Sequence, residues 1–184
     1  GPAGAAASSE TLIDRGPPTL TLTAPSTPNN ASTLNFLVGS TEALTGLAAA
    51  DFSVAGTSCV VGTPSAPAGS APNLVYTIPV GSCADTANVS LTMNQLSVTD
   101  AATNAAPPSS LTAGPVLVDR TAPNGTITSP AASRDDPITF SVTITETIQG
   151  SIDANDFNVS GTGCSIGAVT QNAPTYSVTL VGCN

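Results

Sequence analysis

Apolar and polar residues alternate along several short runs of the chain, and the alternation has a period of two. Three of these runs place their apolar residues as follows: Leu34, Phe36 and Val38; Leu74, Tyr76 and Ile78; Val89, Leu91 and Met93. A period of two puts alternate side chains on one face of a β-strand, so each run predicts a strand with one buried face. Turn-forming residues interrupt the pattern about every ten positions, which is typical of an antiparallel β-sandwich.

The pattern predicts about eight strands in the first 118 residues, and no segment has helical apolar spacing over a useful length. The predicted strands are Thr19–Thr23, Thr33–Gly39, Asp51–Val54, Cys59–Gly62, Asn73–Val80, Asn88–Met93, Leu96–Val98 and Pro115–Val118. The expected fold class is therefore all-β.

An internal repeat organises the chain. The string AADFSVAGTSC, which ends at Cys59, recurs as ANDFNVSGTGC, which ends at Cys164, at an offset of 105 positions. Cys83 recurs as Cys183 at an offset of 100, which indicates a five-residue insertion in the first copy within Pro64–Ala71. A repeat of this length predicts two copies of one domain.

The boundaries of the repeat do not coincide with the ends of the sequence. Asp14-Arg15 matches Asp119-Arg120, so the first 14 residues correspond to the end of a copy. We expect three parts: 1–14, the last strand of a preceding or neighbouring domain; 15–119, a complete domain; 120–184, a second domain that lacks its last strands. Either the chain is an excerpt from a longer array, or the N-terminal strand of one subunit completes the truncated domain of the next. The strand-donor candidates are Thr11, Leu12 and Ile13.

The four cysteines occupy matching places in the two copies. Pairing within each copy, Cys59 with Cys83 and Cys164 with Cys183, is the economical arrangement and predicts an oxidising, extracellular location. A zinc site made of all four is the competing interpretation, but zinc ligands usually come as pairs two to four residues apart. Closing a loop of about two dozen residues would stabilise each domain by about 3 kcal/mol.

Three strings occur in a characteristic order: STEALTG (Ser40–Gly46) before ADF, VTDAATN (Val98–Asn104) and VDRTAP (Val118–Pro123). Together they resemble a known family, the bacterial immunoglobulin-like (Ig-like, Big-type) repeats of very large surface proteins. The resemblance implies tandem Ig-like antiparallel β-sandwiches, here with one intradomain disulfide each, in an adhesin, stalk or fibre. Two departures from the family pattern are the disulfides and Thr103, which stands where glycine is usual.

The net charge and the absence of two residue types exclude several partners and catalytic mechanisms. The net charge is −9, from 12 carboxylates and three cationic side chains, all of them arginine. Nucleic acid and anionic lipid both require clustered cations, so neither is an expected partner. Without His or Lys the chain has no Ser-His-Asp triad and no Schiff-base lysine, and we expect no enzymatic activity. No apolar run reaches the ~20 residues that a membrane-spanning helix needs.

Hard oxygen ligands suit Ca²⁺, and some relatives of the Big-type repeats bind Ca²⁺ at domain junctions, so a structural calcium ion is the one cofactor to consider. The candidate ligands are Asp119, Asp100, Asn104, Glu42 and Asp51, with Asp14, Glu146 and Asp156 as equivalents in the repeat. The alternative interpretation is that the acidic residues among them only cap turns or pair with arginine.

The leading hypothesis is mechanical: a structural repeat of an extracellular adhesin or filament, whose partners are adjacent repeats or copies of itself, with the receptor unknown. One alternative is a ligand-binding module that grips a carbohydrate or a protein receptor at one loop end. Another is an accessory domain of a secreted hydrolase. A domain at the adhesive tip usually interrupts the repeat with an insertion. The insertion found near Pro64–Ala71 is only small, which favours a spacer.

Overall fold

A computed structural model of the chain describes residues 13–131, 136–148 and 150–183. Two compact units divide the chain, unit 1 (Gly1–Arg120) and unit 2 (Thr121–Asn184). Within the described residues the only helical segments are two short 3-10 turns, Ala49–Asp51 and Ala154–Asp156. The predicted all-β class, with antiparallel sheets and two disulfides, is confirmed.

Unit 1 contains nine strands in the part that the structure describes. They are β1 (Leu20–Thr23), β2 (Thr33–Ser40), β3 (Phe52–Ala55), β4 (Val60–Val61), β5 (Leu74–Gly81), β6 (Asn88–Met93), β7 (Val98–Thr99), β8 (Ala105–Ala106) and β9 (Leu111–Leu117). They form a four-stranded sheet in the order β1-β2-β5-β4, a three-stranded sheet in the order β3-β6-β9, and the pair β7-β8. All these pairings are antiparallel.

The two larger sheets of unit 1 share one hydrophobic core. The first sheet contributes the fully buried Phe36, Val38 and Ile78, and the second contributes Val89 and its neighbours Leu91 and Met93. Every inward side chain that the period-two pattern predicted in β2, β5 and β6 is buried. The sheets therefore pack face to face, as a sandwich requires.

The strand boundaries depart from prediction mainly near the end of unit 1. β6 spans Asn88–Met93 as predicted, but β9 begins at Leu111, four residues before the predicted start at Pro115. Gly114 adopts a φ of 112° next to Pro115, and the register of β6 against β9 shifts between Val89 and Leu91. This β-bulge lets a proline occupy the strand. The short strand β8 was not predicted.

Unit 2 has four strands in its described residues, β10 (Gly125–Thr128), β11 (Ile138–Ile144), β12 (Ser165–Asn172) and β13 (Thr175–Val181). They form one antiparallel sheet in the order β10-β11-β13-β12. This sheet corresponds in strand order to β1-β2-β5-β4 of unit 1. Its core is small: Val142, Tyr176 and Val178 are buried, and the surrounding apolar residues are only partly covered.

The disulfides occupy the same place in both units. Cys59 precedes β4 and bonds to Cys83, which follows β5, and β4 and β5 are adjacent antiparallel strands. Cys164 precedes β12 and bonds to Cys183, which follows β13. Each disulfide therefore ties together the ends of the last two strands of a four-stranded sheet.

The bulge in β9 gives a test of the unit 1 fold. A Cβ at Gly114 would lie 2.6 Å from the Val89 carbonyl oxygen and 3.0 Å from the Ser90 Cα, in a backbone conformation that L-residues rarely adopt. We expect Gly114→Ala to lower the free energy of unfolding by about 2–4 kcal/mol. Chemical denaturation followed by circular dichroism measures the change.

The matched control is Gly46→Ala. Gly46 also has a positive φ, of 84°, but no atom lies within 4 Å of its Cβ position. Its substitution should cost only the backbone term of about 1–2 kcal/mol. Equal losses for the two variants would show that the β6–β9 contact at the bulge is not tight.

Candidate metal centre

Three carboxylates converge on one side of unit 1. Single oxygen atoms of Asp14, Glu42 and Asp100 all lie within 4.8 Å of one another. Asp100 is buried, with 2% of its surface exposed, while Glu42 is half-buried and Asp14 is exposed. Of the predicted candidates, the structure therefore groups Glu42 and Asp100, and it adds Asp14, which the sequence indicated only as the repeat equivalent of Asp119.

A local turn holds Glu42 at the end of β2. The Ser40 hydroxyl accepts a hydrogen bond from the Glu42 amide (3.2 Å) and donates one to the Glu42 carbonyl (2.6 Å). Two residues on, the Leu44 amide donates to the Tyr76 hydroxyl (2.8 Å), which joins the turn to β5. Small polar residues such as Ser40 form such turns because the hydroxyl reaches the backbone two residues later.

The loop between β7 and β8 holds Asp100. One carboxylate oxygen of Asp100 accepts from the Asn104 amide (2.9 Å) and the other accepts from the Asn104 side-chain nitrogen (2.8 Å). The same nitrogen lies 3.3 Å from the Gly16 carbonyl, to which it also donates. Asn104 therefore lies beside the cluster and positions Asp100 and the segment that carries Asp14.

The carboxylates differ in how they ionise. Burial raises the pKa of Glu42, and the charges of Asp14 and Asp100 and a hydrogen bond with Asp14 raise it further. Burial also acts to raise the pKa of Asp100. The hydrogen bonds from Asn104 and from the amides of Ala102 and Thr103 outweigh that effect and leave the pKa lowered. Of these two carboxylates, Asp100 ionises more readily than its ordinary pKa would indicate, and Glu42 less readily.

This arrangement suits a hard cation. Three carboxylates in one place offer oxygen ligands and a charge of up to −3, and Ca²⁺ accepts six to eight such ligands in flexible geometry. A cation there would relieve the repulsion that raises the pKa of Glu42. In chemical terms the cluster can hold an ion or share a proton.

The other candidate ligands lie elsewhere. The Asp51 carboxylate accepts a hydrogen bond from the Ala48 amide (2.7 Å) and caps a 3-10 turn. In unit 2 the Asp156 carboxylate accepts one from the Asp153 amide (2.8 Å) and caps the second 3-10 turn. Asp119 lines a separate polar hollow with Ser26, Pro28, Asn29 and Asn30. The capping interpretation therefore describes Asp51 and Asp156.

A second feature is an apolar groove on unit 2. Its volume is about 230 Å³, and its apolar lining comes from both the sheet and the segment after the second 3-10 turn: Ile127, Phe140, Val142, Phe157, Val159, Val178 and Leu180. Ile127 is 64% exposed. The groove lies on the face of the sheet that corresponds to the core side of the first sheet in unit 1.

Of the strand-donor candidates, Thr11 and Leu12 lie outside the described residues. Ile13 is 69% exposed.

No protein-family model, curated protein or solved structure gives a significant match to this chain.

The raised pKa of Glu42 and the lowered pKa of Asp100 predict opposite pH dependences. Because folding raises the pKa of Glu42, this residue stabilises the folded state below its ordinary pKa of 4.5, and the contribution is lost as pH rises through the folded-state pKa. Because folding lowers the pKa of Asp100, this residue stabilises the folded state above its ordinary pKa of 3.8, and the contribution is lost as pH falls through the folded-state pKa. We expect Glu42→Gln to melt above the parent at neutral pH, with the gain vanishing at acid pH. Asp100→Asn should melt below the parent at neutral pH, with a deficit that shrinks in acid.

Thermal melting at several pH values in low salt with a chelator measures both effects. Repeating the neutral-pH scan with Ca²⁺ tests ion binding, because an ion bound to the folded state raises the melting temperature. The increase should be larger for the parent than for Glu42→Gln. The same pH profile in both variants and the parent would contradict the assigned coupling.

Thr103 gives a second prediction, since this β-branched residue has a φ of 69° in the loop that holds Asp100. The left-handed region disfavours L-residues and suits glycine. We expect Thr103→Gly to stabilise unit 1 by about 0.5–1 kcal/mol in denaturant unfolding. Thr21→Gly, at an exposed position of β1, is the control and should destabilise it; a loss in both variants would refute the strain at Thr103.

Proposed function

We propose that this chain is a structural repeat of an extracellular bacterial surface adhesin or filament, in which Ig-like domains act as spacers or as the fibre body. The observation that carries this proposal is the disulfide clasp, which joins the same two strand ends in each unit. A repeated covalent tie of this kind is suited to a chain that transmits tension. We further propose that the chain has no enzymatic activity.

The clasp limits how far a unit can be stretched. It encloses 24 residue steps in unit 1 and 19 in unit 2. Strands β4 and β5, or β12 and β13, lie inside the enclosed loop. Even when the sheets come apart, the enclosed residues cannot be extended while the sulfur–sulfur bond holds.

The last residue of unit 1, Arg120, is hydrogen-bonded to the backbone beside the Cys59–Cys83 disulfide. The Arg120 guanidinium donates to the Cys83 carbonyl (2.9 Å) and to the Ala31 carbonyl (2.9 Å). The Arg120 amide donates to the Asp85 carboxylate (2.8 Å). Tension applied beyond Arg120 would therefore reach the backbone beside the disulfide through these hydrogen bonds.

Location and partners follow from the same features. Two disulfides fit an oxidising, extracellular setting. Among the described residues, no helix has the length and apolarity to cross a bilayer. The partners that fit are adjacent repeats or further copies of this chain.

A carbohydrate-binding function has weaker support. Sugar sites usually present exposed aromatic rings, and the chain has six aromatic residues. Tyr76, Tyr176, Phe36 and Phe52 are buried. Phe140 and Phe157 are only partly covered, in the groove of unit 2.

Single-molecule pulling tests the mechanical proposal. In the oxidised chain held by its ends, unit 1 should unfold in one cooperative step that leaves the clasped loop unextended. Adding a reductant should lengthen the extended chain by about 80 Å for unit 1 and about 65 Å for unit 2, at about 3.4 Å per released residue.

The matched control is the double variant Cys59→Ser, Cys83→Ser, which should show only the shorter increment on reduction. Extension of the oxidised parent at negligible force, without a step, would argue against a role in transmitting tension. Electron microscopy of the native material should in turn show filaments whose repeat is near one or two domain lengths.

A further inference from the structure

We infer that Asn124-Gly125, at the start of unit 2, is a site of spontaneous covalent modification, at which the asparagine converts to isoaspartate and aspartate through a succinimide. The only co-reactant is water, and this chemistry does not depend on the proposed mechanical role. Asn124 is the one asparagine of the sequence that a glycine follows. Glycine favours ring closure because it has no Cβ to obstruct the approach of its amide to the preceding side chain.

The reaction joins the backbone of one residue to the side chain of the residue before it. The Gly125 amide nitrogen loses its proton and bonds to the Asn124 Cγ, the bond from Cγ to Nδ2 breaks, and ammonia leaves. Water then opens the succinimide at either carbonyl. Opening at the α-carbonyl leaves isoaspartate, in which the main chain runs through the side chain, and opening at Cγ leaves aspartate.

The Gly125 amide faces away from the sheet. β10 lies at the edge of its sheet, and Gly125 is opposite Ile144 of β11. The Ile144 amide donates to the Pro174 carbonyl (3.0 Å), on the side away from β10, whereas the Thr145 amide donates to the Asn124 carbonyl (2.9 Å). Because facing residues of an antiparallel pair are alternately bonded and unbonded, the Gly125 amide points outward from the edge. The pairing of β10 with β11 therefore does not engage the nitrogen that must react.

The Asn124 side chain is accessible to water. Asn124 and Gly125 are both exposed, and within the described residues the hydrogen bonds of Asn124 all use its backbone. By contrast, hydrogen bonds to neighbouring groups hold the side chains of Asn29 and Asn104. The Asn124 side chain can therefore rotate toward the Gly125 amide.

Thr145 restrains the reaction. Its hydroxyl accepts from the Asn124 amide (3.1 Å) and donates to the Asn124 carbonyl (3.1 Å), which also accepts from the Thr145 amide (2.9 Å). Ring closure requires the peptide unit between Asn124 and Gly125 to turn toward the side chain, and these bonds hold that unit against β11. Thr145 is therefore a positioning residue that slows the conversion in the folded chain.

Unit 1 has matching hydrogen bonds without the reactive pair. The Thr19 amide donates to the Thr41 hydroxyl (3.0 Å), and the Thr41 amide donates to the Thr19 carbonyl (3.2 Å). The residue after Thr19 is Leu20, which is buried in the core, whereas Gly125 is exposed. Unit 1 therefore supplies an internal reference for the effect of these bonds.

Conversion would loosen β10. Isoaspartate adds one main-chain carbon just before the strand and takes the carbonyl that Thr145 holds out of the path of the chain. The pairing of Thr126 with Thr143 would then lose its register. Each converted chain also gains one negative charge and does not revert unaided, so the converted fraction grows with the age of the chain.

Peptide mass spectrometry of the aged chain tests the inference. The oxidised full chain is incubated at mildly alkaline pH, because the Gly125 amide must lose a proton, and is then quenched in acid, unfolded and digested. Trypsin cleavage after Arg120 and Arg134 gives peptide 121–134, which contains no asparagine besides Asn124. Its mass should rise by about 1 Da, and electron-transfer fragmentation separates isoaspartate from aspartate. The converted fraction should exceed that at any other asparagine by at least about tenfold.

Three variants accompany the parent. A Cβ at position 125 would lie 3.8 Å from the Thr143 carbonyl oxygen, an ordinary contact, so Gly125→Ala should keep the fold. Its conversion should fall by at least about tenfold, because the Cβ obstructs ring closure. Thr145→Val removes the hydroxyl and should speed conversion by about two- to tenfold. Thr41→Val removes the matching hydroxyl of unit 1 and should leave the rate at Asn124 unchanged.

A synthetic peptide with the sequence of residues 121–134 shows whether the incubation is long enough. Conversion of this peptide without conversion of Asn124 in the chain would overturn the inference, because the fold would then block ring closure. Equal conversion in the parent and in Gly125→Ala would overturn it as well, since direct hydrolysis would explain both. An unchanged rate in Thr145→Val, or an equal increase in Thr41→Val, would overturn the role assigned to Thr145.

Discussion

The burial of alternate side chains between two layers is the constraint on which the rest of unit 1 depends. A strand with a period of two has one apolar face, and that face is stable only when a second sheet covers it. Phe36, Val38 and Ile78 from one sheet meet Leu91 and Met93 from the other, and all five are fully buried. With only two phenylalanines and one tyrosine in this core, small aliphatic residues supply much of the burial, and the disulfide supplements them.

The sequence predicted what depends on local periodicity. Strand β6 is found at the predicted residues, and its inward face is the predicted one, because Val89, Leu91 and Met93 alternate with polar residues and are bounded by turns. The repeat located the four cysteines in matching places, and in the structure each pair closes within its own unit.

What could not be predicted depends on loops that close over long distances in sequence. The approach of Asp14 to Glu42 and Asp100 requires the segment before β1, the turn after β2 and the loop after β7 to meet. No spacing rule encodes that meeting. A short acidic side chain near a turn, such as Asp51, has the same sequence pattern whether it binds a cation or caps the backbone, and in the structure Asp51 caps. The separate positions of Asp119 and Asp14 arise because equivalent residues need not have equivalent neighbours.

The segment around Pro64–Ala71 changes the outer edge of the four-stranded sheet in unit 1. In unit 2, β12 runs for eight residues along β13, so the sheet ends in a long, nearly regular strand. In unit 1 the corresponding β4 has two residues, and the rest of that edge is a proline-containing segment whose backbone bonds to β5 at Gly62, Ser65 and Ala68. Regular edges recruit strands from neighbouring molecules, whereas short and irregular edges resist it. Edge-to-edge aggregation at high protein concentration would therefore begin along β12, whereas the residues near Pro64–Ala71 protect the corresponding sheet edge of unit 1.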